Sequence, residues 1–420
     1  MTFNGFTVLF AGLFVVHRGL LTWLDLLQRG HLEGRGDRVP KHLDGKVDLE
    51  TIRKAVAYSL EKLRFGLFDR LYDALPAWAM ILFGFDPLDR WLATFDLGPV
   101  VTGMAFFGIL GLAGTLWGLP TGLYYVFSIE ERHGFNRQKP GGFFADKLKG
   151  LAMGGILGGG LAAIVLALME HAGDLWWLYA FAGVAVFQLI VLWLYPVVIM
   201  PLFNRFEPVS EDLAEDVAAL AERVGFPLKG VVSMDGSRRS SHSNAFIIGL
   251  VGARRIVLYD TLVEKLSREE LLAVLAHELG HFRLGHIRRR LYVTMASMLA
   301  LFAALGWVVN LGDAYTGLGF STQSHHAGLV VFGLLAAEGL FPFGLLSRVM
   351  SRRDEHAADR FAVEMTRSGD HLADALVALT KQNLSSPGSH RLYRKFHNTH
   401  PALRDRLRVI REHAENVLSG

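Results

Sequence analysis

Residues 267–281 read SREELLAVLAHELGH, and their spacing predicts a single helix with two histidines on one face. A serine followed three residues later by a glutamate forms a capping box that begins the helix, and the apolar residues that follow supply a buried face. Because residues four apart share a helix face, His277 and His281 can both offer an imidazole nitrogen to one metal ion. Glu278 can then reach a water molecule on that metal and accept its proton. The pattern is typical of zinc sites that hydrolyse peptide bonds.

A catalytic zinc ion needs at least a third protein ligand, with the fourth position left to water. The best downstream candidate is Glu355, in the segment SRRDEHAAD at residues 351–359. Asp359 follows Glu355 by one helical turn, where a carboxylate can accept the free N–H of a liganding imidazole and fix its tautomer. The alternative interpretation is a surface helix with an intrahelical charge pattern. The spacing alone leaves both interpretations open.

The composition is that of a membrane protein. Of the 420 residues, 51% are hydrophobic and 20% are charged, and the mean hydropathy is +0.30. Four uncharged segments reach the length of about 20 residues that crosses a bilayer as a helix, namely 97–127, 150–169, 175–204 and 291–312. Three weaker segments contain ionisable side chains, namely 6–24, 71–85 and 327–347, the last with Glu338. Together they predict seven spans.

The distribution of charge supports the seven-span count. Of the 43 lysine and arginine residues, all but Arg18 and Arg90 then fall on one side of the membrane. That side receives residues 29–70, 128–149, 205–290 and 348–420. The connections on the other side are mainly acidic, namely 86–96, 170–174 and 313–326. The positive-inside rule makes the basic side cytoplasmic, so both segments with predicted zinc ligands face the cytoplasm.

Other features exclude several classes of protein. The chain has no cysteine, so neither disulfides nor thiolate ligands contribute. The first apolar segment has no basic region before it and no recognisable cleavage site, and we interpret it as a retained span. The net charge of +3 is mild and its basic excess follows the membrane topology, so we predict no nucleic-acid-binding surface.

The chain is therefore predicted to be mainly α-helical, with a soluble domain that is divided in sequence. Residues 1–206 hold five spans with cytoplasmic loops, and residues 291–347 hold the last two. Residues 207–290 and 348–420 form the two parts of the soluble domain. In the first part we predict an amphipathic helix at 210–224 and strands at 230–234, 244–250 and 255–258, with a turn at 251–253.

The chain resembles the type I CAAX prenyl proteases, integral-membrane zinc endopeptidases that trim the C-terminal tripeptide from prenylated proteins. The resemblance rests on several runs besides the metal pentapeptide, in the family's order over nearly the whole chain. They are EERHGFN at 130–136, PLFN at 201–204, GSRRSSHSNA at 236–245, RIVLYDTL at 255–262, the segment with Glu355 and Asp359, and His400-Pro401 followed by Arg406.

The resemblance implies a role for each residue of the site. It implies that His277, His281 and Glu355 bind one zinc ion per chain, that Glu278 is the general base, and that Asp359 supports a liganding histidine.

The resemblance also implies how a substrate binds. His400 and Arg406 lie near the substrate carbonyl, and Asn244, Ala245 and Phe246 belong to an edge strand along which the substrate backbone lies. Such strand addition gives affinity through main-chain hydrogen bonds. Three further histidines near these segments are interpreted as structural or solvated, namely His242, His286 and His356.

The family fold implies seven transmembrane helices that enclose a water-filled chamber. A split α+β, gluzincin-like zinc protease domain closes the chamber at its cytoplasmic end. Glu338 is tolerable within a span if it faces this chamber. The alternatives are a misplaced span boundary or a local hydrogen bond between helices.

Three functions remain in contention. The first is a CAAX-type endopeptidase that acts on prenylated C-termini. The second is the same chemistry applied to quality control of membrane proteins without prenyl specificity. The third is a transporter or scaffold with a structural metal, which predicts a closed four-ligand site, whereas this chain offers three ligands and an adjacent base. The expected partners are a peptide or protein substrate and the lipid bilayer, in a bacterial cytoplasmic membrane or an ER membrane.

Overall fold

The computed structural model describes residues 2–248 and 254–419, and helices make up most of this part of the chain. The N-terminal region contains α1 (Gly5–Leu32), α2 (Leu49–Ala79), α3 (Phe85–Ala93), α4 (Pro99–Tyr124), α5 (Pro140–His171), α6 (Trp176–Leu194) and α7 (Met200–Phe203). Three π-helical turns join α2 to α3, extend α4 and join α6 to α7, namely Met80–Gly84, Tyr125–Glu130 and Tyr195–Ile199. Short 3-10 turns lie at Lys41–Leu43, Gly173–Leu175 and Gly236–Arg238.

The second half contains a small sheet and further helices. The strands are β1 (Phe206–Pro208), β2 (Leu228–Met234), β3 (Ala245–Ile248) and β4 (Arg254–Tyr259). The helices are α8 (Glu211–Val224), α9 (Asp260–Lys265), α10 (Arg268–Arg283), α11 (His286–Val308), α12 (Gly312–Gly317), α13 (His325–Gly339), α14 (Phe341–Thr366), α15 (Asp370–Gln382), α16 (Arg391–His397) and α17 (Leu403–Ser419).

Several helices are built to cross a membrane. Within the described residues, five segments are long and apolar enough to span, namely Gly5–Leu32, Pro99–Glu130, Pro140–His171, Gly173–Phe203 and His286–Val308. The helices α13 and α14 form a sixth candidate if they count as one span bent by 53°. Few residues in the five segments are buried inside the protein, as expected where lipid surrounds a helix. The chain is thus a multi-pass, mainly α-helical membrane protein.

The segment at 71–85 is not among those that are long and apolar enough to span, so the seven-span count stays a prediction. This segment lies in the continuous helical unit formed by α2, a π-helical turn and α3. The unit carries Asp69 and Asp73, which reduce its hydropathy. Pro76 lies inside α2, just before the π-helical turn. A proline removes a backbone donor, and local widening of the helix accommodates the loss.

Glu338 is buried and pairs with the first helix. Its carboxylate lies 2.6 Å from His17 Nδ1 and 3.2 Å from Arg18 Nη2. The His17 ring also stacks on Phe341, with ring centroids 4.8 Å apart. The contacts of Glu338 therefore match the interpretation as a hydrogen bond between helices. They tie α1 to the bend between α13 and α14.

The helix with the metal motif begins as predicted. Ser267 Oγ accepts a hydrogen bond from Glu270 N, and a Glu270 carboxylate oxygen accepts one from Ser267 N at 2.8 Å. This reciprocal pair is the capping box predicted from the sequence. At the other end, Gly285 adopts a left-handed conformation with φ of 73°, which turns the chain from α10 into α11.

The sheet has the strand order β1-β2-β4-β3, which leaves β3 at an edge. β2 and β4 are parallel, whereas β1 pairs with β2 and β3 with β4 in antiparallel fashion. The predicted strands at 230–234 and 255–258 are confirmed as β2 and β4, and the predicted helix at 210–224 is confirmed as α8. The strand predicted at 244–250 appears as β3 within the described residues. The predicted turn at 251–253 lies outside them.

One apolar core connects the four-stranded sheet to α8, α10, α14, α15 and α17. Ile256 of β4, Leu275 of α10, Ala362 of α14 and Ile410 of α17 are fully buried in it. Val56 of α2 packs into the same core. The helix before the first π-helical turn thereby ties the soluble region to the membrane helices.

The unit formed by α2 and α3 can be tested for membrane crossing, because the chain contains no cysteine of its own. Lys54 and Thr94 are exposed at its two ends. We expect an impermeant maleimide to label Lys54→Cys and Thr94→Cys from opposite sides of sealed vesicles. Lys139→Cys, placed before α5, should match Lys54→Cys. Labelling of Lys54→Cys and Thr94→Cys from the same side would exclude this span and the seven-span count.

Candidate active site

The three predicted metal ligands meet where α10 packs against α14. His277 Nε2 lies 3.4 Å from one carboxylate oxygen of Glu355, and His281 Nε2 lies 3.4 Å from the other. One ligand atom from each residue falls within 4.8 Å of the other two. The arrangement brings together side chains that are distant in the sequence.

A glycine allows the two helices to approach closely. A Cβ placed on Gly280 would lie 3.0 Å from the Phe361 ring and 3.4 Å from Ala358 Cα. Contacts this short leave little room for any side chain at position 280. Ala358, on the facing turn of α14, is fully buried. The glycine in HELGH therefore sets the helix separation that places Glu355 opposite both histidines.

The donor set fits a divalent cation. Two imidazole nitrogens and a carboxylate oxygen are the ligands that zinc accepts, and three protein ligands leave a coordination position open. His277 and Glu355 are buried, whereas His281 is half-buried, so the cluster is partly accessible from one side. Burial alone would lower the pKa of His277, but hydrogen bonds to Asp359 and Glu355 outweigh it and raise the pKa to about 9. The surroundings thus favour positive charge.

Asp359 lies behind His277, as its spacing from Glu355 predicts. Its Oδ1 is 3.0 Å from His277 Nδ1, and its side chain is fully buried. Arg406 donates two hydrogen bonds to the same carboxylate, from Nε at 2.9 Å and from Nη2 at 2.5 Å. This bidentate geometry is the strong form of a charge-assisted pair. Arg406 is itself buried, and its Nη1 lies 4.0 Å from Glu355.

His400 lies on the open side of the cluster, in the connection between α16 and α17. Its Nδ1 is 2.6 Å from Glu355 Oε2, and 61% of its side chain is exposed. His400 thus contacts the cluster and solvent together.

A cleft of about 110 Å³ connects Glu278 to the edge strand. Asn244 and Ala245 line the cleft at the start of β3, and His277, Glu278, His400 and Arg406 line it near the cluster. Its remaining walls are Ser243, Leu262, Val274, Leu372, Leu376 and Leu379. The cleft is therefore polar at the cluster and largely apolar along α15.

Among the three predicted substrate-binding residues, Phe246 is the one that does not line this cleft. Its side chain packs with Met200 and Val257 in a separate cluster. Alternate residues of a strand point to opposite faces, so the side chain next to Ala245 is turned away from the cleft. Only the backbone of Phe246 remains available along the strand edge.

His286 is a neighbour of the site whose position the sequence did not reveal. Its Nδ1 lies 3.0 Å from His281 Nδ1, on the side of that ring away from Glu355. The ring is buried, and its Nε2 lies 3.8 Å from Asp354. The sequence indicates this contact only through the spacing of five residues between His281 and His286. This spacing becomes informative only once Gly285 is known to turn the chain back at the end of α10.

The fold and this cluster define a membrane-embedded metallopeptidase. Residues 28–205 match the family model described as CAAX prenyl protease N-terminal, five membrane helices, and residues 208–414 match Peptidase family M48. The CAAX prenyl protease 1 homolog of Arabidopsis thaliana is 36% identical over 402 residues, which cover 93% of either chain. The Homo sapiens homolog is 31% identical and covers 89% of this chain and 88% of its own.

A solved structure shares the fold of this chain. The crystal structure of S. mikatae Ste24p matches with a TM-score of 0.91 and 28% sequence identity, over 97% of this chain and 100% of that chain. The chain belongs to peptidase family M48, together with the CAAX prenyl protease 1 proteins that it matches. It is a metalloendopeptidase of that family.

The ligand role of Glu355 can be tested by metal content. We expect Glu355→Ala to lose most of its bound zinc, because the remaining two imidazoles leave the metal without its anionic ligand. Elemental analysis of the purified protein measures the zinc-to-protein ratio. Glu364→Ala is the matched control, since Glu364 lies on the same helix, is exposed and pairs with His413 at 2.9 Å. Full zinc content in Glu355→Ala would remove Glu355 from the ligand set.

Proposed function

We propose that the protein is a zinc endopeptidase that cleaves peptide bonds near the C-terminus of prenylated proteins. The observation that carries the proposal is the 36% identity to a protein named CAAX prenyl protease 1 homolog, across 93% of both chains. The cleft that joins the candidate metal ligands to an edge strand supports it, because a peptidase must hold an extended backbone beside its catalytic groups.

We assign His277, His281 and Glu355 to one zinc ion, a ligand set of the gluzincin type. The chemistry that a bound zinc ion supplies is polarisation of the scissile carbonyl and a lowered pKa, about 7, for water. Glu278 lines the cleft beside His277 and acts as the general base that takes a proton from the attacking water. The same carboxyl group then returns the proton to the leaving amine.

The residues around the cluster hold and polarise the site. Asp359 accepts the Nδ1 proton of His277 at 3.0 Å and so presents Nε2 as the ligand atom. His400, exposed beside Glu355, donates to the oxygen that becomes negative in the transition state. Arg406 adds positive charge from behind the cluster, where its pairing with Asp359 keeps it in place.

We propose that the substrate binds as an additional strand beside β3. This strand pairs with β4 on one side only, so the N–H and C=O groups of its outer edge can bind an extended peptide. Asn244, Ala245 and the backbone of Phe246 lie along this edge. The apolar wall from α15, formed by Leu372, Leu376 and Leu379, suits aliphatic side chains of the substrate.

We also propose that seven helices cross the membrane and that the active site faces the cytoplasm. Residues 1–206 and 291–347 form the membrane part, and residues 207–290 and 348–420 form one protease domain. The segregation of lysine and arginine to the segments that carry the site supports this orientation.

The proposal predicts a preference for prenylated substrate. Purified protein should cleave a farnesylated CAAX peptide with kcat/KM at least about tenfold above that of the unprenylated peptide, because remote binding energy contributes to the transition state. Release of the C-terminal tripeptide is measured by mass spectrometry.

Glu278→Gln serves as the control for this measurement. It should retain zinc and cleave neither peptide, because the amide cannot accept the proton. Equal turnover of the two peptides by the wild type would contradict the prenyl specificity. Cleavage by Glu278→Gln at the wild-type rate would contradict the assigned base.

A further inference from the structure

The loop after α4 is joined to the segment that leads into the edge strand. Asn136 and Ser240 form an isolated antiparallel bridge. On either side of it, Ser241 N donates to Phe135 O at 3.1 Å, and Arg137 N donates to Arg239 O at 3.0 Å. These backbone bonds tie residues 135–137 to residues 239–241, outside the four-stranded sheet. None of the roles assigned so far accounts for this junction.

His242 is the centre of the side-chain contacts at this junction. Its ring stacks on Phe135 with centroids 4.0 Å apart and planes 13° apart. Its Nε2 lies 3.4 Å from a Glu130 carboxylate oxygen, and its Nδ1 lies 3.2 Å from Asn383 Oδ1. Both ring nitrogens therefore face oxygen acceptors, and the ring cannot turn without losing contacts on three sides.

Glu130 is held in place from the opposite side. It is buried, and its second carboxylate oxygen accepts a hydrogen bond from Tyr58 of α2 at 2.5 Å. Removing a buried carboxylate from its partners is costly. Glu130 therefore connects the long helix α2 to His242 through its two carboxylate oxygens.

The fixed histidine immediately precedes residues that line the substrate cleft. His242 O accepts a hydrogen bond from Thr261 Oγ1 at 2.9 Å, and Ser243 N donates to Asn383 Oδ1 at 3.2 Å. Ser243, Asn244 and Ala245 follow and line the cleft. An edge strand has no neighbour on its outer side, so its entry must be ordered by other contacts before a peptide can add to it.

We propose that Glu130 and His242 are positioning residues that hold the start of β3 in the conformation that binds the substrate backbone. The inference rests on the proposed function, since it concerns peptide binding at the same cleft. Glu130 and His242 do not line the cleft, and the metal ligands lie on α10 and α14. Loss of the Glu130–His242 contact therefore acts on substrate binding and leaves metal binding and proton transfer in place.

The test uses two single variants and their combination. His242→Phe keeps a ring to stack on Phe135 but removes both hydrogen bonds, and Glu130→Ala removes the carboxylate. Each should raise KM for the farnesylated peptide about tenfold and leave kcat within about twofold, the signature of weakened substrate binding. The double variant should be no worse than the more affected single variant, because both substitutions remove the Glu130–His242 contact. Zinc content should stay at the wild-type level.

Glu61→Ala is the matched control. Glu61 is a carboxylate of α2 that pairs with the loop containing Phe135, at 2.6 Å to Arg132 and 2.8 Å to His133. These partners do not include His242. We expect its KM to stay within about twofold of the wild type. An equal rise in KM for Glu61→Ala would attribute the effect to a loosened loop and overturn the positioning role.

Hydrogen exchange gives a readout that does not depend on cleavage. Amides in residues 240–248 should exchange faster in His242→Phe and Glu130→Ala, whereas those in α10 should be unchanged. Unchanged exchange in residues 240–248 would overturn the inference, as would a fall in kcat at constant KM. A wild-type protein that fails to cleave the peptide would refute the proposed function, and the exchange data would still decide the role of Glu130 and His242.

Discussion

The close packing of α10 against α14 is the contact on which the candidate site depends. Two of the three candidate ligands lie on α10 and the third lies on α14, so no single segment can form the cluster. Gly280 permits this separation because a Cβ there would press against Phe361 and Ala358. Leu275 and Ala362 bury the same helix pair in the core. The packing that stabilises this core therefore also fixes the distance between the candidate ligands.

The buried charges of the site are arranged around one incompletely balanced carboxylate. Asp359 is paired with Arg406 through two hydrogen bonds. Glu355 instead faces His277, His281 and His400, and Arg406 Nη1 lies 4.0 Å from it. A buried carboxylate is costly unless a cation compensates it. A divalent ion between the histidines supplies that compensation, which is consistent with membership of a metallopeptidase family.

Local features of the sequence predicted the local structure well, whereas several side-chain contacts that depend on the tertiary fold were not predicted. The capping box at Ser267 predicted the start of α10 because both partners lie within one turn. The one-turn spacing from Glu355 similarly predicted where Asp359 lies. The contact between His281 and His286 depends on the left-handed Gly285, and the pairing of Glu338 with His17 joins opposite ends of the chain. Neither follows from helical or strand periodicity.

The prediction of membrane spans shows the same difference between local and longer-range features. The uncharged segments were recognised from hydropathy alone, whereas the segment at 71–85 is part of a longer helical unit that begins with the polar first half of α2. Averaging hydropathy over such a helical unit obscures the contribution of its apolar part. Phe246 shows a further case: its place in an edge strand was predicted, whereas the face to which its side chain points was not.

X-ray absorption at the zinc K edge tests whether His277, His281 and Glu355 bind the zinc ion, because it reports the atoms bound to the metal. Ligation by His277, His281 and Glu355 predicts nitrogen and oxygen atoms at about 2.0–2.2 Å from the metal, with the outer scattering of two imidazole rings. His277→Ala should reduce that imidazole scattering. A wild-type spectrum without imidazole scattering, or one that is identical in His277→Ala, would show that the metal binds elsewhere and would contradict this ligand set.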